Sequence, residues 1–90
     1  MPSRAQIKPQ VIGRIAEAAE RSPKTIREKD RLWEDLDLGP LLKKAMSVPY
    51  TKITQQFAGG LPISMDEAEN LETVKSSIDL VTRRGNGDSQ

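Results

Sequence analysis

Few side chains in this chain of 90 residues could carry catalysis. It contains no cysteine and no histidine, which removes thiolate chemistry, the commonest metal ligand and the commonest general base near neutral pH. Asp35 and Asp37 lie close together, but acidic loop residues usually cap helices or stay solvated. The pair Gly59-Gly60 lacks the lysine and the serine or threonine that complete a phosphate-binding loop. We therefore expect no enzyme, no catalytic residue and no metal site.

The composition limits the size of the core and the kinds of partner that the chain can bind. Hydrophobic residues make up 36% of the chain, with a single tryptophan, tyrosine and phenylalanine, which is enough for a small core only. Its 14 basic and 13 acidic residues leave a net charge of +1, without the basic excess or stacking aromatics of nucleic-acid binders. No apolar run approaches the roughly 20 residues of a membrane span, and no apolar signal segment is present. We expect a cytoplasmic monomer that binds neither nucleic acid nor membrane.

Helical spacing of apolar residues recurs in the first half. A stripe typical of one helix face is formed by Ile7, Val11 and Ile15. The segment from Glu20 to Asp35 is dense in mixed charge, which predicts a long surface loop held by a few apolar side chains, Trp33 among them; a solvated helix is the alternative. Gly39-Pro40 predicts the next helix start, because proline suits the first helical position.

The second half predicts further helices and no sheet. After the helix start, an apolar stripe expected to fill the core is formed by Leu41, Leu42, Ala45 and Met46. Pro49 then predicts either a kink or a new helix. Ser64 and Glu67 form a capping box, and Val74, Ile78 and Val81 mark the last helix. The prediction is an all-α domain over residues 7–84, with a disordered N-terminus at 1–6 and a disordered tail at 85–90.

The segment from Leu32 to Leu41 resembles the attachment-site region of acyl carrier proteins. In that family the pattern reads apolar, any residue, Glu, Asp, Leu, Gly, apolar, Asp, Ser, Leu. The positions that match it are Leu32, Glu34, Asp35, Leu36, Leu38 and Leu41. The resemblance extends over most of the chain from Ile7 to Val81. It implies an acyl-carrier-protein-like four-helix bundle with a long loop between helices 1 and 2 and, here, a lengthened helix 2/3 region.

The chain departs from the family at the attachment site itself. Carriers of that family bear phosphopantetheine on the serine of an Asp-Ser-Leu motif at the start of the second helix. Here Pro40 occupies the slot of the serine and Gly39 that of the aspartate. Proline has no hydroxyl, so no phosphodiester can form there and no cofactor is expected. The alternative is a working acyl or peptidyl carrier, in fatty-acid or secondary-metabolite synthesis, with phosphopantetheine on Ser47.

The charge of the second helix also differs from that of the carrier family. Family carriers present acidic residues there, whereas the stretch from Leu38 to Met65 contains no Asp or Glu and carries three lysines. A partner built for an acidic helix should reject it, because like charges oppose binding. The resemblance thus implies a docking module without the arm, whose partner is an acyl-transfer or synthase-type enzyme. The partner surface expected from the sequence consists of Leu38, Lys43, Lys44, Val48 and Tyr50. For the lysines, a merely solvated face is the alternative.

Overall fold

The computed structural model describes all 90 residues as helices, turns and loops. Its α-helices, in chain order, are α1 (Arg4–Ala19), α2 (Pro40–Ala45), α3 (Ser47–Thr54), α4 (Met65–Glu69) and α5 (Val74–Gly85). Extended backbone is paired only at an isolated bridge between Arg31 and Thr73. The predicted all-α class is therefore confirmed. None of the helices combines the length and the apolar character that a bilayer span needs.

The first helix begins earlier than predicted. Ser3 is its N-cap and accepts a hydrogen bond from the backbone amide of Gln6, so residues 4–6 are helical rather than disordered. Pro9 consequently lies inside α1 and not in its first turn. An interior proline removes one helical hydrogen bond and costs about 3 kcal/mol. The complete burial of Ile7 and Val11 on either side of it offsets that cost.

Helices α1 and α5 pack along one another and supply the centre of the core. The side chains that are fully buried there are Ile7, Val11 and Ile15 from α1, and Val74, Ile78 and Val81 from α5. The loop between α1 and α2 contains only a 3-10 helix (Pro23–Thr25) and covers this core with Ile26 and Leu32. Trp33, expected to tuck inward as well, is instead half-exposed.

One residue, Met46, separates α2 from α3. Its backbone lies in the right-handed helical region, although it belongs to neither helix. Pro49 falls in the first turn of α3, where an amide hydrogen has no intrahelical partner. Of the two alternatives at Pro49, the structure shows a separate helix that starts at Ser47.

The capping box at α4 is present, with Ser64 and Glu67 bonded to each other's backbone amides. Glu67 also accepts a 2.6 Å hydrogen bond from the nearly buried guanidinium of Arg84. Arg84 in turn donates to the carbonyl oxygens of Asp88 and Gln90. The C-terminal residues, predicted as a disordered tail, therefore lie folded back against α5.

Candidate docking surface

The start of α2 is open to solvent and carries no side-chain cap. Gly39 is its N-cap with extended backbone (φ −70°, ψ −179°), and Pro40 is the first helical residue, as the sequence predicted. The half-exposed indole of Trp33 lies beside Gly39. The position that the resemblance assigns to the modified serine is thus accessible, but it holds a pyrrolidine ring that has no oxygen to modify.

An apolar stripe follows on the outer side of α2 and α3. Leu41 is 81% exposed, Leu42 47% and Val48 59%, and Ala45 between them is also exposed. Their spacing (i, i+1, i+4, i+7) spans the junction at Met46 between the two helices. We call these four residues the α2–α3 surface. Such a contiguous exposed apolar stripe on a small domain is typical of an interaction site.

The expectation that the stripe from Leu41 to Met46 fills the core is wrong except at Met46, which is buried. Helix α2 has only six residues, so one narrow face of it can turn inward. The apolar residues on either side of the helix, Leu38 and Met46, already close the core at this point. Leu41 and Leu42 are left outside as a result.

Two of the residues predicted for the partner surface are not on any surface. Leu38 and Tyr50 are each 1% exposed. The backbone amide of Leu38 also donates a 2.8 Å hydrogen bond to the carbonyl of Leu32, which holds the end of the long loop inward. Of the predicted apolar contacts, only Val48 faces solvent.

The predicted lysines are partly engaged within the protein. The Nζ atom of Lys43 donates a 2.9 Å hydrogen bond to the backbone carbonyl of Leu71, which ties α2 to the segment after α4. Lys44 lies 3.8 Å from a carboxylate oxygen of Glu69, and both side chains are partly exposed. A solvated pair of that length contributes little stability. Lys52 is exposed and makes no ion pair.

Ser47 is the first residue of α3, and its side chain faces inward with only 7% exposure. A transferase has to bring its bound coenzyme A against the acceptor hydroxyl, which requires an accessible oxygen. The geometry therefore disfavours Ser47 as an attachment residue, whereas position 40 is accessible and has no hydroxyl.

A groove of about 460 Å³ runs beside the start of α2. Charged and polar side chains dominate its lining, among them Glu34, Glu69 and Glu72, and Trp33 is the one large apolar side chain in it. A groove of this character is unsuited to sheltering an aliphatic chain, because apolar groups gain free energy only where they are removed from polar surroundings.

Tyr50 is buried in α3 and its hydroxyl makes no hydrogen bond within the protein. Burial raises the pKa of this hydroxyl to about 12, and the Ser77 hydroxyl opposes the shift. Ser77, whose hydroxyl donates to the carbonyl of Thr73 at 3.1 Å, lies close enough to affect the phenol but forms no hydrogen bond with it. The phenol is therefore a buried polar group without a hydrogen-bonding partner.

Replacement of Tyr50 by phenylalanine should raise the free energy of unfolding by about 1 kcal/mol, because an unsatisfied buried hydroxyl costs about 1–3 kcal/mol. Urea denaturation of Tyr50→Phe and the wild type, followed by circular dichroism, measures the difference. A loss of stability in the variant would show that the hydroxyl has a partner, such as a bound water.

Leu41 and Leu42 are surface residues that were expected in the core, although the sequence contains a signal for their exposure. The segment from Leu38 to Met46 holds more large apolar side chains than a single short helix can turn inward. Such an excess predicts that some of them remain exposed.

This chain matches no protein-family model, no curated protein and no solved structure. A functional assignment therefore rests on the geometry around α2 and α3, together with the resemblance of the segment from Leu32 to Leu41 to the attachment-site region of acyl carrier proteins.

Proposed function

We propose that this chain is an acyl-carrier-protein-like module that lacks the phosphopantetheine arm and docks a protein partner through the α2–α3 surface. The observation that carries the proposal is the exposed stripe of Leu41, Leu42, Ala45 and Val48 directly after Pro40. In the carrier family, partner enzymes recognise the side of the bundle next to the attachment site, which corresponds to this surface. Here the attachment residue is absent while the adjacent helix presents side chains suited to an interface.

The arrangement of the elements supports the carrier-like part of the proposal. A long first helix is followed by a long loop, then by a helix that starts at the expected attachment position, then by the short α4 and the last helix α5. The loop residues Leu32, Leu36 and Leu38, which fit the family pattern, are all buried. Their burial gives the pattern a structural role that does not depend on a prosthetic group.

The apolar side chains support the docking part. Interface centres are richer in apolar side chains than the rest of a protein surface and poorer in charge. Leu41 and Val48 contribute little to the stability of the isolated domain, because both remain largely in water. If a partner buries these two side chains, binding gains the hydrophobic free energy that folding of the isolated domain does not gain.

The test is a double variant, Leu41→Ser with Val48→Ser, compared with the control Met65→Ser, an exposed apolar residue outside the α2–α3 surface. We expect each protein to keep its stability within about 0.5 kcal/mol, as surface substitutions usually do. Immobilised wild type and Met65→Ser should capture the same partner from the cytoplasm of the source cells, and the double variant should lose it. Equal capture by all three would contradict the proposal.

A further inference from the structure

The α2–α3 surface has the dimensions of a helix-binding site. Leu41 and Ala45 on α2 and Val48 on α3 are spaced i, i+4 and i+7, and the backbone of Met46 between the two helices is also in the right-handed helical region. At a rise of about 1.5 Å per residue, the stripe is about 10 Å long, or two helical turns. Two turns of a facing amphipathic helix present an apolar stripe of the same length.

Helices α2 and α3 themselves carry only positive side-chain charges. Lys44 follows Leu41 by three residues and precedes Val48 by four, so it borders the stripe on one side. Lys52 follows Val48 by four residues and marks the end of the stripe. The distance of 3.8 Å from Lys44 to Glu69 leaves this ammonium group free to take a second partner, and Lys52 has no ion pair.

We propose that the α2–α3 surface binds an amphipathic helix of a partner protein whose apolar face is flanked by carboxylates. This inference rests on the proposed function, in which that surface is the docking site. The apolar side chains of the partner helix would cover Leu41, Ala45 and Val48, and its carboxylates would reach Lys44 and Lys52. Complementary charge of this kind sets the choice of partner and the rate of association.

A second copy of this chain fits the surface less well. In a two-fold dimer centred on Ala45, Leu41 of one copy packs near Val48 of the other. The same symmetry brings Lys44 of both copies close to the axis, where like charges oppose association. No acidic residue lies on α2 or α3, and Glu69 of α4, 3.8 Å from Lys44, offsets the repulsion only in part. A partner with carboxylates removes this conflict.

The test uses three synthetic helical peptides with the same leucine face and no tryptophan, whose flanking positions are all glutamate, all glutamine or all lysine. Each is titrated into the full chain. The emission of Trp33 reports binding, because this single tryptophan is half-exposed beside the start of α2, and calorimetry gives the affinity. We expect the glutamate peptide to bind about ten-fold more tightly than the lysine peptide, with a difference that shrinks at high salt.

Two sets of variants separate the charge requirement from the docking surface itself. Lys44→Glu with Lys52→Glu should reverse the order of the peptides, whereas the control Lys24→Glu, which changes an exposed lysine of the 3-10 helix, should leave it unchanged. Leu41→Ser with Val48→Ser should weaken all three peptides.

The remaining outcomes overturn the inference in distinguishable ways. Equal affinity for all three peptides, lost in Leu41→Ser with Val48→Ser, would keep the docking function and remove the acidic partner. Failure of every peptide to bind would overturn the inference, and a wild-type dimer disrupted by the same variant would replace it with self-association. Binding to phosphatidylglycerol vesicles without binding to any peptide would replace it with a lipid surface.

Discussion

The double variant Gly39→Asp with Pro40→Ser should become a substrate for a broad-specificity pantetheinyl transferase, while the wild type stays unmodified. In this reaction the serine oxygen forms a bond to phosphorus of coenzyme A and gives up its proton, and adenosine 3′,5′-bisphosphate leaves. Proline offers no oxygen for that bond. The variant restores the hydroxyl at the exposed start of α2, preceded by the aspartate of the family motif.

The fold should accept both changes. A Cβ atom at Gly39 would lie 3.8 Å from Nε1 of Trp33, an ordinary contact, and the extended backbone there suits an aspartate N-cap. Pro40 is exposed, so serine meets no steric obstacle. The improved cap and the loss of the rigid proline ring act in opposite directions, so stability should change by less than about 1 kcal/mol.

Intact mass after incubation with coenzyme A and the transferase measures the outcome. One phosphopantetheine addition is expected on the double variant and none on Gly39→Asp alone, which has the aspartate but no hydroxyl at position 40. Lys44→Glu and Lys52→Glu are added in a further variant, because a transferase suited to an acidic helix would be repelled by these lysines. If the correctly folded protein remains unmodified in both backgrounds, position 40 does not correspond to the attachment site of carriers.

The second large effect concerns the turn after α3. Gly60→Ala should lower the free energy of unfolding by about 3 kcal/mol, at the upper end of the usual cost of overpacking. A Cβ atom at this position would collide with the backbone carbonyl of Thr54, and the carbonyl oxygen of Phe57 lies only 3.1 Å away. Because both neighbours are backbone atoms, no side-chain rotation can relieve the collision.

Gly13→Ala is the matched control for this substitution. Gly13 lies inside α1, and nothing stands within 4 Å of the position that a Cβ atom would occupy. The same chemical change should therefore stabilise the protein there by about 1 kcal/mol, the difference in helix propensity. Denaturant midpoints of the two variants should move in opposite directions. Equal stability of Gly60→Ala and the wild type would contradict the close packing of this turn.

Local signals in the sequence predicted several elements correctly. The helix start at Pro40 and the cap at Ser64 depend on neighbouring residues alone, and both are present. The buried faces of α1 and α5 followed from spacing, because both helices are long enough for a stripe to define one side.

The surface around α2 could not be predicted in the same way. Which side of a six-residue helix turns inward depends on its tertiary neighbours, so Leu41 was expected inside and Leu38 outside. The hydrogen bond from Lys43 to Leu71 joins residues 28 positions apart and has no local signal. The spacing places the start of α1 too late, because the cap at Ser3 precedes Ile7, the first apolar residue of the stripe.

The central claim is that this chain uses a carrier-like scaffold for docking and not for carrying a thioester. The measurement that tests it most directly is the intact mass of the protein purified from the cells that make it. The mass should equal that of the polypeptide without any pantetheine group. A covalent phosphopantetheine on any side chain, Ser47 included, would contradict the claim and identify the protein as a working carrier.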